Sequence, residues 1–127
     1  MKKERTVLIV DDDSDIREIV QFALEMQPGW TVVGEHAGEN AVARAIEVNP
    51  DVILLDNHLE GMDGPTTLAA LRADERTKAI PVIFLTGSSR PAEVDRLRGL
   101  GARGVLAKPF DPLTLGTQVA REVGWPE

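Results

Sequence analysis

The sequence predicts an open, doubly wound α/β fold in which helices cover both faces of a five-stranded parallel sheet. Five short apolar runs alternate with amphipathic helical stretches along the 127 residues. The runs are continuously apolar, which is typical of strands buried on both faces of a parallel sheet. Strands separated by single helices also favour parallel pairing with right-handed crossovers.

The first two strand–helix units fill residues 6–48. The first strand is expected at residues 6–10, and the helix after it has apolar residues at the i, i+3, i+4, i+7 and i+8 positions of one buried stripe. These residues are Ile16, Ile19, Val20, Ala23 and Leu24. Pro28-Gly29 ends this helix. A weaker strand at 31–35 and a helix from about 39 to 48 follow, before Asn49-Pro50.

The remaining three units repeat the pattern. Strands are expected at 52–56, 81–86 and 104–107, and the helices after them begin near Pro65, Pro91 and Pro112. Proline suits the first turn of a helix. The fourth helix places Val94, Leu97 and Leu100 on one side, and Gly101 is expected at its C-terminal cap.

Length and composition restrict the class of protein. About one domain fits in 127 residues, so we expect a single domain over 1–127, with its core at about 5–123 and no effector domain. Two alternatives remain open: a stand-alone domain, which we favour, and a fragment of a longer regulator. The net charge of −7 disfavours direct binding to nucleic acid or to an anionic membrane. The absence of cysteine excludes disulfides and fits a cytoplasmic location. No apolar run approaches the roughly 18 residues that a membrane span needs.

Polar side chains follow four of the strands where ligands bind in such folds, beyond the carboxyl ends. Asp11 and Asp12 follow the first strand, and Asp56 ends the third. Thr86 ends the fourth strand and Lys108 follows the fifth. Clustered carboxylates need a cation, and oxygen ligands suit a hard ion such as Mg²⁺. A carboxylate beside both a metal ion and a lysine can form an acyl phosphate.

Five short motifs at these strand ends resemble those of the response-regulator receiver domain, the CheY-like domain of two-component signalling. They are Val10-Asp11-Asp12, Leu55-Asp56, Gly61-Met62-Asp63-Gly64, Leu85-Thr86-Gly87 and Lys108-Pro109-Phe110. Their order and spacing are also similar, and the resemblance covers nearly the whole chain. It implies a flavodoxin-like sheet with strand order 2-1-3-4-5.

The resemblance implies that Asp56 is the phosphoacceptor. The donor would be a histidine kinase or a histidine phosphotransfer protein, and the output would be a change of conformation that a downstream protein recognises. The implied Mg²⁺ site, which Mn²⁺ could also occupy, consists of Asp11, Asp12, Asp56 and the backbone carbonyl of His58.

The resemblance also implies how the phosphoryl group is held. Thr86 resembles the switch hydroxyl, with Gly87 beside it. Lys108 resembles the lysine that binds the phosphoryl group. The bond between Lys108 and Pro109 is a candidate for a cis peptide.

The sequence departs from the family pattern at three places. Leu59-Glu60 stands where Met-Pro is usual. His58 is an uncommon residue two positions after the acceptor, and we expect it and Ser88 to tune the lifetime of the phosphoryl group. Val105 replaces the usual Tyr or Phe, so we expect the signal to leave through residues 86–90 and the fourth helix instead of through an aromatic side chain.

The sequence is also compatible with two other functions. Asp11-x-Asp13, Thr86 and Lys108 also resemble the layout of haloacid-dehalogenase phosphatases, in which Asp11 would be the nucleophile. No further acidic pair follows Lys108, however, and Asp56 would then have no role. The third candidate is a receiver-like interaction module that is not phosphorylated, and the intact acidic set disfavours it.

Overall fold

The computed structural model describes residues 4–88 and 90–126. The strands are β1 (Arg5–Val10), β2 (Trp30–Glu35), β3 (Val52–Asp56), β4 (Val82–Thr86) and β5 (Gly104–Ala107). The helices are α1 (Ser14–Glu25), α2 (Ala41–Val48), α3 (Gly64–Ala73), α4 (Pro91–Gly99) and α5 (Leu115–Val123). The strands pair in parallel in the order β2-β1-β3-β4-β5, which confirms the predicted fold class.

The sheet separates two apolar layers. The layer with α1 and α5 is formed by side chains such as Val20, Leu24 and Val119, together with every second residue of the central strands. The layer with α2, α3 and α4 includes Leu68 and Leu97. Because β1, β3 and β4 are covered on both faces, their residues are apolar without alternation.

Two residues predicted to face the core are exposed. Ile19 is 41% exposed because the buried stripe of α1 is narrower than the apolar pattern, and Phe22 and Met26 beside it also face outward. Leu100 is 44% exposed because α4 ends at Gly99, before this side chain can face the sheet. Gly101 follows with a φ of +103°, a conformation that favours glycine at the end of a helix.

The boundary of α2 also differs from the prediction. A short 3₁₀ turn, Gly38–Asn40, precedes the helix, so α2 begins two residues later than expected. Gly38 is required there, because a Cβ would lie 2.6 Å from the carbonyl oxygen of Met62. This close approach packs the turn against the loop that leads into α3.

An aromatic contact packs the segment after α5 against the first residue of β2. The Trp125 and Trp30 rings meet edge to face with centroids 5.3 Å apart, and the Arg5 guanidinium lies 4.3 Å from the Trp125 ring centroid. These tryptophans therefore act as packing residues, at the sheet edge opposite the acidic cluster. Within the described ranges, no helix combines the length and apolarity needed to cross a bilayer.

Candidate functional site

Three carboxylates meet at the carboxyl edge of the sheet. Asp11 and Asp12 follow β1 and Asp56 ends β3, and these two strands are neighbours. One oxygen of each carboxylate lies within 4.8 Å of the others. Asp11 and Asp56 are buried whereas Asp12 is exposed. A cluster of hard oxygen donors with one member open to solvent fits Mg²⁺ or Mn²⁺, which retain several non-protein ligands.

Lys108 joins the two buried carboxylates. Its Nζ lies 3.0 Å from Asp11 Oδ2 and 3.2 Å from Asp56 Oδ1. Its backbone N–H donates to the Thr86 carbonyl at 2.7 Å, which fixes the start of its side chain at the edge of the sheet. Burial opposes the charged form, but the hydrogen bond to Asp11 and the nearby carboxylates outweigh it and raise the pKa of Lys108. The lysine is therefore cationic at neutral pH.

Asp11 experiences the opposite balance. Burial is the largest influence and raises its pKa, and the charge of Asp56 adds to this increase. The N–H of Asp13 and the Lys108 ammonium lower it, but not enough to cancel the effect of burial. The cluster thus holds more negative charge than one lysine balances, and a divalent cation would relieve it.

The loop after β3 donates backbone hydrogen bonds to the carboxylates of Asp56 and Asp12. The His58 N–H donates to Asp56 Oδ1 at 3.1 Å, and the Glu60 N–H donates to Asp12 Oδ2 at 3.2 Å. Gly64 lies directly against the backbone of Asp56, since a Cβ at position 64 would lie 2.6 Å from the Asp56 carbonyl oxygen. Gly64 belongs to the Gly61-Met62-Asp63-Gly64 motif, but its packing role is visible only in the structure.

The residues expected to hold a phosphoryl group lie at the ends of β4 and β5. Thr86 is buried, and its Oγ1 accepts a hydrogen bond from the Ser88 N–H at 3.1 Å. Gly87 is exposed, and a Cβ there would meet nothing within 4 Å, so the space beside the strand is open. The peptide bond between Lys108 and Pro109 is cis. The His58 side chain is exposed and Ser88 is half-buried.

Val105 lies away from the carboxylates, half-buried in β5. It packs against the apolar layer that contains α4. A valine side chain is short and stiff at χ1, so it has no second position comparable to that of a swinging ring.

Two further residues support the site, although neither was a candidate from the sequence. Arg17 of α1 donates from Nη1 to the Asp11 carbonyl at 2.7 Å. Asn57 is buried beside Asp56 and donates from Nδ2 to Glu93 Oε1 at 3.4 Å. The only signal for Asn57 was an amide directly after the acidic end of a buried strand. Arg17 carried no signal, because its partner is a backbone carbonyl.

Comparisons with known proteins agree with this geometry. The family model described as "Response regulator receiver domain" matches residues 7–120. The phosphate regulon transcriptional regulatory protein PhoB of Escherichia coli (strain K12) is 40% identical over 117 residues, covering 91% of this chain and 50% of PhoB. The nitrate/nitrite response regulator protein NarP of the same strain is 44% identical over 110 residues, or 86% of this chain and 50% of NarP. The chain thus spans about half the length of these curated relatives.

Solved structures show the same similarity over nearly the whole chain. The chemotaxis response regulator CheY4 of Vibrio cholerae superposes with a TM-score of 0.86 at 32% identity, and the match covers 94% of this chain and 99% of CheY4.

Proposed function

The chain belongs to the response regulator receiver domain family of two-component signal transduction, and we propose that it accepts a phosphoryl group on Asp56 and changes conformation in response. The proposed donor is a phosphohistidine of a histidine kinase or of a histidine phosphotransfer protein, and the reaction requires Mg²⁺. One observation carries the proposal: Lys108 Nζ lies 3.0 and 3.2 Å from two buried carboxylates, Asp11 and Asp56, at the edge of the sheet.

In the proposed reaction, a carboxylate oxygen of Asp56 attacks the phosphorus of the phosphohistidine. The phosphorus–nitrogen bond breaks, the imidazole leaves with the electron pair, and an acyl phosphate forms. Asp11, Asp12, Asp56 and the His58 carbonyl would hold Mg²⁺, which when bound supplies positive charge to the carboxylates and the phosphoryl oxygens.

Lys108 and Thr86 contact the added phosphoryl group in the proposed product. Lys108, which pairs with the Asp56 carboxylate in the structure, pairs with a phosphoryl oxygen after the reaction. The Thr86 hydroxyl turns to donate to another phosphoryl oxygen. This turn gives up the hydrogen bond that Oγ1 accepts from Ser88, and it loosens the segment that leads to α4.

The geometry favours Asp56 over Asp11 as the nucleophile, and hence a receiver over a phosphatase. The Asp11 side chain is completely buried, whereas 8% of the Asp56 side chain is exposed. Both oxygens of Asp11 already accept hydrogen bonds, from the Asp13 N–H at 2.9 Å and from Lys108 at 3.0 Å. The complete acidic set with its lysine also disfavours an interaction module that is never phosphorylated.

Intact mass after incubation with acetyl phosphate tests the proposal. We expect one labile phosphoryl group in the presence of Mg²⁺ and none when a chelator is added. Turnover of phosphate esters that depends on Asp11 would instead support the phosphatase. No mass gain from acetyl phosphate, phosphoramidate or a phosphohistidine protein would support the unphosphorylated module.

Metal binding should stabilise the protein before any phosphoryl transfer. Mg²⁺ at about 100 times its dissociation constant should raise the free energy of unfolding by about 2.7 kcal/mol. Asp12→Ala should lose most of this increase, because Asp12 is the exposed carboxylate of the cluster. Asp15→Ala, which removes an exposed carboxylate from the first turn of α1, serves as the control and should retain it. Thermal melting with and without Mg²⁺ measures both effects, and equal responses in the two variants would remove Asp12 from the site.

The side chains of His58 and Ser88 should affect how long the phosphoryl group persists. Both residues lie two positions after a site residue, where a side chain can admit or block an attacking water. We expect His58→Ala and Ser88→Ala to be phosphorylated normally and to lose the phosphoryl group at rates several-fold different from wild type. The decay of the phosphorylated mass after removal of the donor measures this, and wild-type rates in both variants would contradict it.

The switch should depend on Thr86 and not on Val105. Thr86→Ala should be phosphorylated but should lose most of the phosphorylation-dependent change in α4. Val105→Ala should cost about 1 kcal/mol of stability and leave that change intact. Hydrogen exchange with and without phosphodonor decides between them. If Val105→Ala stays folded and phosphorylated but loses the α4 response, position 105 is part of the switch. Within the 86–90 segment, residue 89 lies outside the described residues.

A further inference from the structure

Asn57 is a rigidly held amide beside the proposed phosphoacceptor. Only 4% of it is exposed. Its N–H donates to the Leu85 carbonyl at 2.9 Å, and its own carbonyl accepts from the Gly64 N–H at 3.2 Å. The backbone is thus fixed to β4 on one side and to α3 on the other. Its side chain projects from this platform toward α4.

The partner of this amide is a carboxylate in the first turn of α4. Asn57 Nδ2 donates to Glu93 Oε1 at 3.4 Å. Arg96 holds the same carboxylate through contacts of 2.8 and 3.2 Å from two of its guanidinium nitrogens. Glu93 is therefore a charged acceptor in a defined position, and it connects the loop of the phosphoacceptor to the start of α4.

The rest of α4 makes few buried contacts with the sheet, so the contact between Asn57 and Glu93 should contribute noticeably to the stability of the helix. Of its nine residues, all within the described part of the chain, Leu97 alone is buried. In its last turn, Arg98 lies 3.5 Å from Glu122 of α5, and just beyond the helix the Gly101 carbonyl accepts from Arg72 at 3.3 Å. Elements with few buried side chains open at low free-energy cost. A hydrogen bond to a charged group is stronger than one between neutral groups, so its loss should be measurable in α4.

We propose that Asn57 is a positioning residue for α4: its hydrogen bond to Glu93 holds the first turn of the helix in the unphosphorylated state and is released when Thr86 moves. The inference rests on the proposed function. It identifies a coupling between Thr86 and α4 that a valine at position 105 does not provide. The Ser88 N–H that Thr86 releases belongs to the segment leading into α4. Asn57 does not follow this movement, because its backbone is fixed to β4 and α3.

Hydrogen exchange of the unmodified 127-residue chain tests this contact without any phosphodonor. Asn57→Ala and Glu93→Ala should each lower the protection of the α4 amides about tenfold. The double variant should lower it no further than Glu93→Ala alone, because Glu93→Ala already removes the contact that Asn57→Ala removes, in addition to the Arg96 contacts. Arg98→Ala is the matched control, since it removes the contact of α4 with α5, and its effect should add to that of Asn57→Ala. Additive effects of Asn57→Ala and Glu93→Ala, or unchanged protection in Glu93→Ala, would overturn the proposal.

Two further readouts keep the test independent of folding and of the proposed function. Amides of β1 and β3 report global stability, and Glu93→Ala tests the contact at the surface if Asn57→Ala does not fold. With acetyl phosphate and Mg²⁺, both variants should gain the phosphoryl group but show at most half of the wild-type change in α4. If phosphorylated Glu93→Ala shows a change in α4 as large as that of wild type, the coupling to Thr86 is wrong, but the contact in the unmodified chain is not affected. Absence of any phosphoryl group on the wild-type chain would overturn the proposed function and leave the unmodified-chain result to decide the contact.

Discussion

Asp56→Asn is expected to gain no phosphoryl group from acetyl phosphate or from a phosphohistidine protein, although it remains folded. An amide oxygen is too weak a nucleophile to attack phosphorus, so the reaction is lost and not merely slowed. Asparagine preserves the shape of the side chain and can still accept the His58 N–H that Asp56 Oδ1 accepts at 3.1 Å. Intact mass measures the phosphoryl group, and thermal melting shows that the fold is retained.

Asp13→Asn is the control for this experiment. Asp13 is an exposed carboxylate near the same edge, where it caps α1 by accepting from the Asp15 and Ile16 N–H groups. Asparagine is an equally good capping residue, so the variant should be as stable as wild type and fully phosphorylated. Equal phosphoryl yields in Asp56→Asn and Asp13→Asn would refute Asp56 as the acceptor.

Lys108→Met should lower the free energy of unfolding by about 3 kcal/mol in Mg²⁺-free buffer, because it leaves two buried carboxylates without their cation. Phosphorylation of Asp56 should also slow by about 100-fold, since a preorganised charge at the phosphoryl group is lost. Urea unfolding and the time course of mass gain measure the two effects. Mg²⁺ should restore part of the stability, whereas the loss of rate is expected with Mg²⁺ present.

An exposed ion pair provides the control for Lys108→Met. Lys78 Nζ lies 2.7 Å from Glu75, but these side chains are 51% and 84% exposed. Lys78→Met should therefore cost less than about 0.5 kcal/mol. A loss of similar size in both variants would show that the Lys108 contacts do not have the assigned strength.

The Lys108 contribution should also depend on pH in a defined direction. Because the folded state raises the pKa of Lys108, the stabilisation is fully present below the unfolded pKa and is lost as the pH rises through the folded pKa. The stability difference between wild type and Lys108→Met should therefore shrink in alkaline buffer. A difference that grows with rising pH would contradict the direction of this shift.

The order of elements was predictable because burial on both sheet faces leaves a simple pattern. Continuous apolar strands and helix periodicity were enough to place all five units. Because ligands bind at the carboxyl ends of parallel strands, the sequence also predicted that Asp11, Asp56 and Lys108 lie together. Periodicity did not show how wide the covered stripe of a helix is. Ile19 fits the apolar repeat of α1 and is nevertheless exposed, because coverage depends on neighbouring elements and not on the helix itself.

The supporting contacts of the site were less predictable for a related reason. Arg17 binds a backbone carbonyl and Asn57 reaches a helix 36 positions further along the chain, so neither leaves a local sequence pattern. The need for glycine at position 64 follows from the close approach of the Asp56 and Asn57 backbones, which only the folded chain reveals.

We propose that Asp56, and no other carboxylate of the cluster, carries the phosphoryl group. Reduction of the phosphorylated chain with borohydride converts an aspartyl phosphate into homoserine, which peptide mass spectrometry can assign to one position. We predict homoserine at position 56 only, and only in samples that contained both Mg²⁺ and phosphodonor. Homoserine at position 11, with Asp56 unmodified, would contradict the account and would support the phosphatase alternative.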